Sequence, residues 1–263
     1  MTAKPKRVVG LVPARGGSKR IVGKNVRELR GHPLLAYAVS AARRSGAFAD
    51  VVVSTDDPYT ATMARRYGAN VPFLRPQEMA EDSSPDIEWV RHALSELRAA
   101  GERVDAFAIL RPTSPLRPAA SIAAAVAALL ADPGADSLRA VERVTEHPAK
   151  MWELSTDGER MTPLLDDGGA SLAWHSTPYQ SLRPVYVQNA SLEVAWVRTV
   201  DEFASIAGRE VKPWVTESYD GFDLNREVDW LLLERLLDLG LANLDEPELV
   251  PELTPTTLTP MES

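Results

Sequence analysis

An α/β sandwich, three layers deep with a mainly parallel sheet, is what the sequence predicts, and three observations predict it. Arg7 to Pro13 is a continuous apolar run, the pattern of a strand covered on both faces rather than on one. Strand-like runs then alternate with helical patterns of roughly 10 to 15 residues, the spacing of right-handed βαβ units with helices on both sides of a sheet. The chain of 263 residues is 44% hydrophobic, enough for a core of that size, and it has no cysteine, which removes disulfides, thiolate metal sites and cysteine nucleophiles.

Each element follows in order. After the first strand comes a glycine-containing basic loop, then a helix pattern from Pro33 to Ser45 that Gly46 ends. Next are strand Asp50 to Ser54, helix Tyr59 to Tyr67, a short strand Val71 to Leu74, helix Pro85 to Ala99, strand Asp105 to Leu110 and helix Pro118 to Ala131. Ser84 is the expected N-cap of the helix at Pro85, with Pro85 in its first position and Ile87, Val90, Leu94 and Leu97 at helical spacing. Beyond about Asp136, DSLRAVERV and VYVQNASLEVAWVRT read as strands. Between them, Glu146 to Pro184 is rich in Pro, Gly, Trp and His and has no helical period. It is expected as an excursion from the sheet, and Trp152, Trp174 and Tyr179 give it the apolar surface of a partner interface. A last helix, Val228 to Leu239, follows GFDLNRE, and residues 243–263 combine Pro, Thr and acid as a disordered tail would. The expected organisation is one domain over 1–242 with 146–184 as an insertion for dimerisation or the acceptor site.

With 29 Lys plus Arg against 37 Asp plus Glu, the formal charge is −8, which argues against a nucleic-acid partner. No signal peptide is visible at the amino terminus, and the longest apolar candidate, Ser121 to Ala131, falls far short of a membrane span. A cytoplasmic protein is expected. His32, His92, His147 and His175 show neither HExxH nor i,i+4 pairing, which argues against zinc catalysis and a Ser-His-Asp hydrolase. His147 and the tryptophans read as packing residues.

The chemistry concentrates in two segments. The first loop, PARGGSKRIVGKN, places Arg15, Gly16, Gly17, Ser18, Lys19, Arg20, Gly23, Lys24 and Asn25 at the carboxyl end of the first strand, where open α/β sheets bind ligands. Adjacent glycines admit an anion to backbone N–H groups and the cations neutralise it, so a nucleoside triphosphate is the natural ligand; the alternative is a solvated basic turn. The loop has neither Walker A nor GxGxxG spacing. In FDLNREVD, Asp223, Asn225, Glu227 and Asp229 alternate along the chain before the last helix, an arrangement that suits Mg²⁺ at Asp223 and helix capping at Glu227 and Asp229.

LVPARGGSKRIVGKN resembles the signature loop of the N-acylneuraminate (sialic acid) cytidylyltransferase family, and the resemblance continues to about Leu239. VVVSTDD (Val51 to Asp57), FLRPQEMAEDSSPD (Phe73 to Asp86), LRPTSPLR (Leu110 to Arg117), EHPAKMW (Glu146 to Trp152) and GFDLNREVDW (Gly221 to Trp230) are similar to later family motifs, in the family's order. The resemblance implies a Rossmann-like, nucleotidyltransferase-type sheet, a homodimer, and transfer of CMP from CTP to an acidic sugar with Mg²⁺ as cofactor. It also implies a site. Arg15, Lys19, Lys24 and Asp223 would carry catalysis. Gly16, Gly17, Ser18, Asn25, Arg75, Asp86 and Arg111 would join Arg15, Lys19 and Lys24 in binding the nucleotide. Lys150, Gln180, Arg183 and Asn189 are the acceptor-binding candidates, and Asp223 with Asn225 the metal ligands. For Arg75 a surface arginine, and for Asp86 an acid complementing a helix dipole, are the alternatives.

Several positions depart from the family pattern. Asn225 stands where the family has a second aspartate; toward the acceptor sugar, Arg111 stands where glutamine is usual and Tyr179 and Val187 where related enzymes carry arginines, with Arg111 and Arg183 as the cations that could replace that charge. These departures keep two other readings open: transfer to a sugar phosphate or other non-sialic acceptor, and a nucleotide-binding protein with weak catalysis.

Overall fold

The computed structural model describes residues 5–18, 20–165, 169 and 172–250. In chain order the elements are β1 (Val8–Pro13), β2 (Glu28–Leu29), β3 (His32–Pro33), α1 (Leu34–Ser45), β4 (Asp50–Ser54), α2 (Pro58–Arg66), α3 (Asp86–Ala99), β5 (Ala106–Ile109), α4 (Ala119–Leu130) and β6 (Ser137–Arg143). There follow β7 (Trp152–Leu154), β8 (Met161–Pro163), β9 (Tyr186–Trp196), α5 (Arg198–Phe203), β10 (Val211–Val215) and α6 (Glu227–Asp238). The chain divides into two compact units, one of residues 1–140 and 189–263 and one of residues 141–188.

In the first unit the sheet runs in the order β10-β6-β9-β5-β1-β4. β1 pairs in parallel with β4 and β5, and β5 pairs antiparallel with β9. Successive residues of β1 point to opposite faces, so Val8 and Val12 enter one core cluster and Val9 and Leu11 another. The first cluster takes the apolar faces of α1, α2 and α4; the second takes Trp89, Val90, Ala93 and Leu94 of α3 and Val200 of α5. Two covered faces explain why the β1 sequence is apolar throughout. A third cluster packs Trp230, Leu233 and Leu236 of α6 against Leu29, Leu34, Tyr37, Leu116 and Leu224. Asp229 caps α6, its Oδ2 accepting from the backbone N–H of Asn225 at 3.0 Å and of Arg226 at 2.7 Å.

Two local expectations are corrected. Val71–Leu74 is not a strand: Asn70 makes a single parallel bridge with Val52, and Pro72, which lacks an N–H, follows two residues later. Ser84 does not cap α3, because its hydroxyl donates to the Glu78 carbonyl at 2.8 Å; Pro85 occupies the cap position and the helix begins at Asp86. The short pairs β2–β3 and β7–β8, together with α5 and β10, have too few residues to show a period.

In the second unit β7 and β8 form an antiparallel hairpin. His147 organises the chain around it: Nδ1 accepts from the Ala149 N–H at 3.0 Å and Nε2 lies 2.9 Å from the Arg183 carbonyl. Residues 243–250 form neither helix nor strand, and the Val250 N–H donates to the Arg66 carbonyl at 2.9 Å. Residues 251–263, the rest of the expected tail, lie outside the described residues.

Candidate active site

Pro13 at the end of β1 and Arg111–Thr113 just after β5 open onto a cavity of about 350 Å³ in the first unit. This is the end of the strands at which such sheets bind ligands. Arg15, Lys24, Asn25, Arg75, Asp86, Arg111, Asp223 and Asn225 all line it, and so do Arg20, Trp89, Glu81 and Asp82. Residues as far apart in sequence as Pro13 and Asn225, 212 positions, thus line one cavity.

In the first loop Ile21 is buried, Gly23 turns the chain at φ +60°, and Asn25 Nδ2 donates to the Arg15 carbonyl at 2.9 Å. Lys24 Nζ reaches the Leu224 carbonyl at 3.0 Å, and the Leu224 N–H donates to the Thr113 carbonyl at 2.9 Å, so loop, DLN segment and PTSPLR turn are stitched together. Burial pushes the Lys24 ammonium below its ordinary pKa, against the upward pull of Asp223. The Gly16 N–H is taken by Asp56 Oδ1 at 2.9 Å, a carboxylate standing where an anionic ligand would, and a Cβ on Gly16 would come within 2.9 Å of the Asp57 side chain. Gly17 lines an adjoining acidic hollow with Asp56 and Glu78, and the Ser18 N–H donates to the Gly16 carbonyl. Lys19 lies outside the described residues.

Arg75 is 5% exposed, which removes the surface-arginine alternative. Its Nε and Nη2 donate to Ser54 Oγ and the Ser54 carbonyl at 3.0 and 2.8 Å, and its guanidinium lies 5.0 Å from the Trp89 ring centroid. Burial pushes its pKa down to about 10. Asp86 begins α3 and accepts from Trp89 Nε1 at 2.7 Å and from Arg111 Nη2 at 2.7 Å. Burial opposes its ionisation, yet the Arg111 hydrogen bond holds its pKa below the ordinary value. Arg117 of PTSPLR is buried, donates from Nη1 to the Ser191 carbonyl, and is pushed down to about 9 by burial.

The charges in the cavity are not evenly neutralised. Arg15 pairs with Asp82 at 2.5 Å and Arg111 with Asp86 and Glu193, whereas Arg20, Lys24 and Arg75 make no ion pair among the described residues. Beside them, Asp223 Oδ2 accepts from Asn225 Nδ2 at 2.5 Å and the buried Oδ1 has no hydrogen-bond partner among the described residues. A buried carboxylate oxygen without a donor is costly unless a cation meets it. Asn225 Oδ1 lies 3.5 Å from Arg20 Nη1. No cluster of three or more His, Asp or Glu able to hold a metal occurs among the described residues, so a cation here would complete its shell with ligand phosphates and water.

The acceptor candidates divide between the units. Asn189, in the first, is buried and bonded to Thr216 Oγ1 at 2.9 Å and to the Ser191 N–H at 3.2 Å, while its neighbour Ala190 lines the cavity. Lys150, Gln180 and Arg183 belong to the second unit. Lys150 Nζ donates to the carbonyls of His175 and Thr177 at 2.8 and 2.6 Å, Arg183 lies over the Trp174 ring, and Gln180 is exposed. Glu193 and Arg139, which hold Arg111 from behind the cavity, are not among the residues the motifs point to. A lone acid in the apolar strand SLEVAWV is the signal that marks Glu193.

A cytidylyltransferase family model matches residues 9–190. The CMP-N,N'-diacetyllegionaminic acid synthase of Legionella pneumophila is 32% identical over 235 residues, 89% of this chain and 97% of that protein. The N-acylneuraminate cytidylyltransferase of Escherichia coli is 40% identical over 120 residues, which is 46% of this chain and 27% of that protein. A solved structure of CMP:2-keto-3-deoxy-manno-octonic acid synthetase complexed with CTP shares the fold at a TM-score of 0.65 and 12% identity, covering 89% of this chain and 100% of that chain. A family match that runs from β1 through the cavity loops into β9, and a relative matched along nearly its whole length, place this chain in the cytidylyltransferase family, among the CMP-sugar synthetases.

Proposed function

We propose that the protein transfers CMP from CTP to an acidic sugar of the nonulosonic class and releases pyrophosphate. One observation carries the reading: among the described residues, three cations without carboxylate partners, Arg20, Lys24 and Arg75, share a cavity with Asp223, whose Oδ1 has no hydrogen-bond partner. That combination suits a triphosphate and the cation that accompanies it. The nonulosonic class rests on the relatives, whose names give legionaminic and neuraminic acids as acceptors.

In the reaction the anomeric hydroxyl oxygen of the sugar attacks the α-phosphorus of CTP in line. Its bond to phosphorus forms as the bridging bond to the β-phosphate breaks, pyrophosphate leaves with the electron pair, and the hydroxyl proton passes to water. No protein nucleophile takes part, so the residues act by placing the reactants and by meeting charge on the phosphates. Lys24, anchored on the Leu224 carbonyl, and Arg20 supply charge near Asp223; Arg75, fixed on Ser54, supplies it near Asp86. Mg²⁺, held by Asp223 with Asn225 beside it, would neutralise phosphate charge. Lys150, Gln180 and Arg183 are proposed for the acceptor.

The proposal extends to a cytoplasmic homodimer. No helix among the described residues is long and apolar enough to cross a membrane. In the second unit Leu154 and Met161 are 71% and 55% exposed, which favours a partner surface there.

Calorimetric titration of CTP with Mg²⁺ tests the nucleotide assignment. Lys24→Ala should weaken binding by about 1.5 to 3 kcal/mol, the size of a charge-assisted hydrogen bond, while the melting transition stays cooperative. Unchanged affinity would remove the first loop from the triphosphate site.

A further inference from the structure

Asp86, Arg111, Glu193 and Arg139 form an unbroken run of alternating charges that starts in the cavity and ends inside the sheet. Asp86 and Arg111 line the cavity. Arg111 Nη2 lies 2.7 Å from Asp86 Oδ2 and 2.8 Å from Glu193 Oε1, and Arg139 Nη1 donates to the second oxygen of Glu193. Glu193 is 3% exposed and stands opposite Ile109 in the β5–β9 pair, on the face of the sheet that α3 covers. The four formal charges cancel, so the run adds no net cation to the cavity. Apolar residues of similar volume commonly give equal or greater stability than such a buried network, so stability alone does not account for it. Its geometric effect is specific. The fork of the Arg111 guanidinium is spent on two carboxylates, and its Nε–H has no hydrogen-bond partner among the described residues.

We propose that Glu193 and Arg139 are positioning residues that fix Arg111 as a hydrogen-bond donor to an uncharged oxygen of the bound nucleoside, a role that rests on the functional reading above. A guanidinium whose charge is already balanced gives little long-range attraction to phosphate, yet it donates well to a base carbonyl or ribose hydroxyl. Neither Glu193 nor Arg139 touches the ligand. Their effect is transmitted through the two Glu193 oxygens.

Three variants test this against CTP and CMP by calorimetry, alongside thermal melting. Arg111→Ala should weaken both nucleotides about tenfold. The double variant Glu193→Leu/Arg139→Met replaces a buried ion pair with apolar side chains, so its melting temperature should stay near the parent's while both nucleotides again bind about tenfold more weakly. A purely structural pair would lose affinity only in step with stability. Glu193→Gln keeps the volume and one acceptor oxygen, and covers the case in which the double variant does not fold; about threefold loss of affinity is expected. Parental nucleotide affinity in Arg111→Ala, or in a folded Glu193 variant, would overturn the proposal. Loss for CTP with CMP unchanged would overturn the nucleoside assignment by moving the contact to the β- or γ-phosphate. A parent protein that binds no CTP contradicts the functional reading itself, an outcome separate from these.

Discussion

At the scale of single residues, the Asp223–Asn225 pair bears on the cation site proposed above. With aspartate at both positions, neither carboxylate has a donor in the other. Here Asn225 Nδ2 donates to Asp223 Oδ2, while the buried Oδ1 has no partner among the described residues. Mg²⁺ needs only one or two protein carboxylates when phosphates and water fill the octahedron, so a single anionic ligand suffices with CTP present. Pyrophosphate release measured against Mg²⁺ concentration should therefore vanish in Asp223→Ala. In Asn225→Asp activity should persist at a lower half-maximal Mg²⁺ concentration, because a full charge is added beside a hard cation. Full activity in Asp223→Ala would leave the segment with a helix-capping role alone.

At the scale of elements, the site depends on how α6 anchors the segment before it. Leu224 is fully buried among Leu116, Trp230 and Leu233, and its main-chain N–H and carbonyl engage Thr113 and Lys24. Because side chains alternate along this stretch, sinking Leu224 turns Asp223 and Asn225 toward the cavity. Leu224→Ala should cost about 2 to 5 kcal/mol in denaturant unfolding and raise the Mg²⁺ requirement together with it. Loss of stability with an unchanged Mg²⁺ requirement would show that Leu224 does not set the pair's position. This coupling is only half legible in the sequence. DLN reads as alternating oxygens before a helix, but nothing local shows that a leucine 111 positions from Thr113 donates to it. The βαβ order was legible because doubly covered strands and amphipathic helices write their period into neighbouring residues. Val71–Leu74 misled because apolar content stood in for a ladder that Pro72 cannot join. Glu193 and Arg139 went unread because their partners are distant in sequence and no motif contains them.

For the whole molecule, the first unit holds the cavity for which nucleotide binding is proposed, and Lys150, Gln180 and Arg183 belong to the second unit. The exposed Leu154 and Met161 lead to a second expectation, that sedimentation at low micromolar concentration gives twice the 28.8 kDa chain mass. A species of chain mass alone would reject the dimer. Nucleotidyl transfer from CTP in the cavity is read out by pyrophosphate release. With Mg²⁺, purified protein should be assayed with CTP, UTP, GTP and ATP, each against a set of nonulosonic acids and sugar phosphates. Release is expected with CTP and a nonulosonic acid and should be abolished in Asp223→Ala; absence of turnover with every nucleotide and acceptor, despite tight CTP binding, would overturn the proposed transfer and leave a nucleotide-binding protein without transferase activity.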